Sequence, residues 1–276
     1  MDADAPQSAP PGKILANVPG AELASKMDRW WWMVFAVVAL IIILIVTSPD
    51  PYQNMFAFFV SGIGVTLVVT ILAFVLTLVL ALFGALGRLS KNWLVHGIAT
   101  IYVEIIRGIP LLVQLFFWYF AFPQVVQELG ATLHIPAMET YQANPMLWAV
   151  AGLTICYAAY MSEIYRAGIQ SISKGQMEAA RSLGMTYVQA MRYVILPQAA
   201  RVILPPVGNE FISLLKDSSL VSQVAIEDLT RLGREYAGAH YIAIPTWLMV
   251  ALIYLVMTLL SARVVSWIER KTRVER

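Results

Sequence analysis

Residues Ala57 to Leu86 read AFFVSGIGVTLVVTILAFVLTLVLALFGAL, thirty positions without one charged side chain. A bilayer core of ~30 Å needs ~20 apolar residues of helix, so this stretch is long enough to cross with a tilt. The rest of the chain agrees with that reading. Of 276 residues, 59% are hydrophobic and 13% charged, and the mean hydropathy is +0.69. A soluble domain carries about 25% charge. The composition excludes a free cytosolic globule, a disordered chain and a nucleic-acid binder. The net charge of +2 is too small to steer a polyanion.

Outward from that stretch, five more segments read as spans. Trp30–Thr47 is free of charge and ends at Ser48-Pro49-Asp50-Pro51. Leu94–Phe122 carries Glu104, Arg107 and Pro110, and Met146–Tyr165 carries Glu163. Val202–Val221 is the most polar, with Pro205, Pro206, Glu210, Lys216 and Asp217; Ile244–Trp267 carries Arg263. With residues 1–29 as a cytoplasmic tail, fifteen of the nineteen Lys and Arg fall in inside segments. Only Arg231 and Arg234 fall outside, and Arg107 and Lys216 lie within spans. This asymmetry follows the positive-inside rule. It predicts an all-α integral membrane protein of six transmembrane helices, with both termini cytoplasmic.

The tail mixes acidic and basic residues with four prolines, unlike a signal peptide with its basic start and short apolar run. Trp30, Trp31 and Trp32 suit an interfacial anchor. Gly62, Thr66 and Thr70 recur every four residues, and such a small-residue face favours close helix contact over a substrate path. One cysteine, Cys156, excludes an internal disulfide, and His96, His134 and His240 are too dispersed for a zinc site.

The inside loop from Arg166 to Arg201 is too long to lack structure. Gln176–Leu183 is rich in helix formers, and Gly184 is a natural stop. Thr186 can cap a second helix running to Tyr193, which Pro197 would end. Two short helices with a glycine elbow suit a protein contact presenting Glu178, Arg181 and Gln189, with Met177, Leu183 and Met185 as anchors. The competing reading is an amphipathic helix on lipid.

Ionisable residues within spans are functional candidates. Glu104 and Arg107 share a helix face and can pair. Gly108 and Pro110 then predict a break, with freed carbonyls lining a cavity or packed in protein. The pair either holds that break or touches substrate. Lys216 and Asp217 point about 100° apart on a helix, so each needs another partner. With Ser218, Ser219 and Glu210 they form a candidate pathway wall, unless the span ends early and they face outside water. Glu163 and Arg166 read as an interfacial pair or a contact to the loop.

Glu178-Ala179-Ala180, then Gly184, then Val194-Ile195-Leu196-Pro197 resembles the EAA loop of ABC importer permeases, with Val194 a conservative departure from the family's Ile-x-Leu-Pro. Gly62-x-x-x-Thr66-Leu67, Tyr102 to Gln114, Tyr160 to Gly168 and Lys216 to Leu220 are similar to the polar amino acid branch. The resemblance spans about residues 57–270, beyond a first helix and outer loop at 30–56 and before a short tail at 271–276. It implies a multi-pass permease of the bacterial cytoplasmic membrane, in a type I importer. The partners implied are a second permease subunit (identical or a paralogue), two copies of an ATP-binding subunit, an extracytoplasmic binding protein and the amino acid. Glu178, Ala179, Ala180, Arg181, Gly184, Leu196 and Pro197, in a loop at about 174–197, would couple to the ATPase. ATP and Mg would sit on that partner, with no cofactor on this chain, which lacks a Gly-x-x-x-x-Gly-Lys-Ser/Thr loop. The alternative function is an ion-coupled secondary amino-acid transporter, whose usual inverted repeat is not visible. A membrane enzyme would need a nucleophile–base set or metal ligands, and neither is evident.

Overall fold

The computed structural model describes residues 29–272, and every regular element among them is helical. The expected tails lie outside the described residues, except that Arg29 opens the first helix and Lys271 and Thr272 close the last. Helix α1 (Arg29–Thr47) leads to α2 (Pro49–Leu89), in which Asp50 alone departs from helical geometry. Then come α3 (Trp93–Gly108), α4 (Leu111–Leu133), the short α5 (Pro136–Glu139) and α6 (Pro145–Gln170). On the loop are α7 (Lys174–Ser182) and α8 (Tyr187–Ala190), followed by α9 (Leu196–Asp217), α10 (Leu229–His240) and α11 (Ala243–Thr272).

Four helices, α1, α2, α6 and α11, are long and apolar enough to cross a membrane, and α3 with α4 makes a fifth if counted as one broken span. Two expected spans therefore differ from their reading. Leu94–Phe122 is not one helix: α3 and α4 meet at 106°. Val202–Val221 lies mostly within α9, which is too polar to rank with the other spans and ends at Asp217. Ser218 and Ser219 open a 3-10 turn, Ser218–Gln223, because the Ser218 hydroxyl turns back to Leu215 O at 2.8 Å.

Helix α2 is the central post. Met55, Phe59, Gly62, Thr66, Thr70, Ala73, Thr77, Ala81 and Gly84 form its buried stripe, at helical spacing. The small size of Ala73, Thr77, Ala81 and Gly84 lets α6 approach closely enough for hydroxyls to bond across the backbones. Thr154 donates to Ala73 O at 3.4 Å, Thr77 to Thr154 O at 3.5 Å and Ser162 to Ala81 O at 3.1 Å. The Gly62–Thr66 part of the stripe receives α10 of the same chain. A Cβ on Gly62 would lie 2.8 Å from Leu232 Cδ1 and 2.9 Å from Leu229 Cα. Thr66 Oγ1 accepts the Leu229 amide at 3.2 Å, one of the first amides of α10. Buried Asp228 caps the same helix and takes a bond from Tyr254 at 3.3 Å. The Gly62–Thr66 face is thus a helix contact.

Helix α1 lies along α11. Trp30 Nε1 donates to Leu259 O at 3.2 Å, and the Arg263 guanidinium stands 5.7 Å from the Trp31 ring centre. Trp30 and Trp31 thus serve helix packing besides any interfacial role, while Trp32 is exposed.

Candidate functional site

The loop between α6 and α9 is built as a rigid elbow. Met185 N–H bonds Ala180 O at 3.2 Å and Gly184 N–H bonds Arg181 O at 3.0 Å. These are the two bonds of a Schellman stop, and they require the left-handed residue that Gly184 provides at φ +83°. Thr186 and Gln189 then form a reciprocal capping box that starts α8. The expected end at Pro197 is not found. The chain widens into a π turn, Met191–Ile195, where Leu196 N–H reaches Met191 O, and α9 continues through Pro197. Pro123 follows the π turn Phe117–Ala121 in the same way. The wide turn makes room for a proline ring that would otherwise clash with the preceding turn.

Ala180 and Ala190 face inward. The Gln198 amide bonds Gln176 Oε1 at 3.3 Å and Val194 O at 2.8 Å, which ties α7 to α9. Glu178, Ala179, Arg181, Gly184, Leu196 and Pro197 are exposed. Leu183 is 82% exposed, and Tyr187 and Val188 extend the same bare surface. Met177 and Met185, expected as outward anchors, are half-buried.

The candidate pathway residues divide. Arg107 lies at the end of α3, its guanidinium 5.3 Å from the Tyr160 ring centre. Asp217 accepts a bond from the Tyr157 hydroxyl at 2.7 Å. Half-buried Glu210 is within electrostatic reach of both Asp217 and Arg107. Arg107, Glu210 and Asp217 therefore share one region, bounded by two tyrosines of α6. Lys216 is exposed and forms no ion pair among the described residues. Ser218 is buried as a helix-end cap and Ser219 is half-buried.

Glu104 does not pair with Arg107. Its carboxylate lies 3.5 Å from Arg88, at the end of α2. Spacing on one helix shows which residues are neighbours, but a nearly buried arginine from another helix has the stronger need of an anion. The break after Gly108 is present. The buried Gln114 amide donates to Ile106 O and Ile109 O, both at 2.8 Å, so the carbonyls at the break find a donor within the protein. Arg88, Gln114, Tyr157 and Tyr160 were not candidates from sequence. Arg88 had one available signal, since it ends the long charge-free run.

This arrangement offers charges, hydroxyls and a bent helix, the equipment for passing a polar solute. The chain belongs to the family of binding-protein-dependent transport system inner membrane components, whose model matches residues 77–274. It is a type I ABC importer permease of the polar amino acid branch. It is 34% identical to the glutamine transport system permease protein GlnP of Escherichia coli (strain K12), over 78% of this chain and 93% of that one. It is 39% identical to the L-cystine transport system permease protein TcyB of Bacillus subtilis (strain 168), over 79% and 88%. The solved structure of an amino acid ABC transporter with histidines superposes with a TM-score of 0.71 at 40% identity, covering 79% of this chain and 96% of that one. The MetNI methionine transporter, at 21% identity and TM-score 0.65, shares the fold.

Proposed function

We propose that this chain crosses the bacterial cytoplasmic membrane six times and carries a polar amino acid inward, driven by an ATPase that docks on α7 and α8. The crossings are α1, α2, the bent α3–α4 pair, α6, α9 and α11, with both termini cytoplasmic. The Lys and Arg asymmetry supports this topology. The observation that carries the coupling reading is the α7–α8 elbow. Its fold is fixed by its own caps, and Leu183, Tyr187 and Val188 stand bare beside Glu178 and Arg181. A pre-shaped apolar surface with a charged rim suits a protein partner. ATP and Mg bind on that partner, in two copies, and this chain supplies no ATPase site. A second permease subunit completes the path, and an extracytoplasmic binding protein delivers the solute.

Arg107, Glu210 and Asp217 form the wall that the amino acid passes. A zwitterion needs an anion and a cation at once, and this region has both. The glutamine, L-cystine and histidines in the relatives' names support a polar amino acid as cargo. In proteoliposomes of the full complex, ATP at the cytoplasmic face should drive uptake without an ion gradient. Uptake that needs a gradient and ignores ATP would establish the secondary-transporter reading instead. In a Cys156-free background, cysteines at positions 52 and 140 should label from outside and one at 174 should not. Outside labelling at 174 would overturn the topology.

A further inference from the structure

A charge network borders the pathway wall, where α2, α3 and α6 meet, with Arg107 within electrostatic reach of Glu163. The Arg88 side chain, 13% exposed, donates to Glu163 Oε2 at 2.8 Å. Arg166 holds both Glu163 oxygens and also bonds Gln170, the last residue of α6 before the loop that carries α7. Glu163 is therefore fully held, and this end of the network is closed. The other end is slack. Glu104, 63% exposed, is 3.5 Å from Arg88. Arg88 Nε is buried and has no acceptor.

An arginine has five donors in a planar fork suited to two-point contact with a carboxylate. Here the fork is fixed on α6 and only half used toward α3, although Arg88 is nearly out of solvent. Glu104 precedes Arg107 by one turn on α3, a helix joined to α4 only through the bend at Ile109 and Pro110. A small shift of α3 would bring Glu104 onto the idle Nε or take it away. Glu104 itself is exposed, so water can take over its carboxylate while Glu163 keeps Arg88 paired, and the Arg88–Glu104 contact can open and close cheaply.

We propose that Arg88 is the positioning residue of a clasp between the pathway and the coupling loop: it keeps Glu163 throughout the transport cycle and makes or releases Glu104 as α3 moves. The path at Arg107 is thereby linked through Arg88, Glu163, Arg166 and Gln170 to the head of the loop. The clasp rests on the coupling reading above.

The test uses the full complex, with its ATPase and binding protein. The readout is the ratio of ATPase activity with and without an equimolar mixture of the twenty common amino acids. Glu104→Gln removes the slack partner, and Arg88→Lys leaves one ammonium, which the closed Glu163 end retains. Each variant should lower the ratio about fivefold. The double variant should be no worse than either single one, with yield and melting temperature of the complex unchanged in Glu104→Gln. A native ratio in Glu104→Gln, or a double variant whose loss is the product of the two single losses, would overturn the clasp. A native complex that the amino acids do not stimulate at all would overturn the coupling reading together with it.

Discussion

Helices α3–α4 and α9 carry prolines in similar settings and respond in opposite ways. Pro110 stands at a 106° bend, whereas Pro205 and Pro206 sit inside an unbroken helix. A proline removes one amide and crowds the carbonyl four residues back. At the bend, Gln114 takes the loosened carbonyls of Ile106 and Ile109 from within the protein. In α9 the carbonyls that lose donors belong to Arg201 and Val202, both exposed residues, and a π turn upstream absorbs Pro197. A proline bends a polar membrane helix sharply where a side chain waits to satisfy what the bend exposes. Without that partner the helix keeps its course.

Three substitutions would break or sharpen this contrast. Gln114→Leu should have the largest effect, because it takes the donor from two partly buried carbonyls at once. A loss of about 3 kcal/mol is expected from thermal unfolding of the purified complex. A loss under about 1 kcal/mol would mean that the bend is held elsewhere. Tyr157→Phe should come next, at about 2 kcal/mol, since a 2.7 Å bond to a carboxylate joins α6 to α9. If Asp217 belongs to the proposed wall, the variant should also slow uptake; unchanged uptake would remove Asp217 from the wall. Pro205→Ala should be smallest and opposite in sign, stabilising by about 1 kcal/mol as α9 regains an amide bond. Destabilisation there would show that α9 needs its prolines.

The local features of this fold were legible in the sequence. A glycine stop, a Thr-x-x-Gln cap and a Gly-x-Pro break are each written within a few residues. That is why Gly184, Thr186 and the bend after Gly108 fell where they were expected. The errors came where the deciding partner is distant. Glu104 was matched with Arg107 because both lie on one helix face, yet Arg88 reaches it from α2. Tyr157 meets Asp217 sixty positions along the chain, with no local signal. Pro197 was read as a stop because periodicity does not reveal a π turn. Helix α9 is polar enough to blur the count of spans, and the same polarity made it a candidate wall.

The α7–α8 elbow, in the shape set by Gly184, is proposed as the surface on which the ATPase docks. Space around a Gly184 Cβ is open, so a substitution acts through the backbone at φ +83° and not through collision. Asparagine enters the left-handed region readily, and a β-branched residue does not. The direct measurement is the amount of ATP-binding subunit retained on the purified permease, with uptake, in Gly184→Asn and Gly184→Val. Asparagine should give near-native retention and uptake, and valine should lose both while the permease itself still inserts in the membrane. A valine variant that keeps its ATPase and transports normally would contradict the proposed docking.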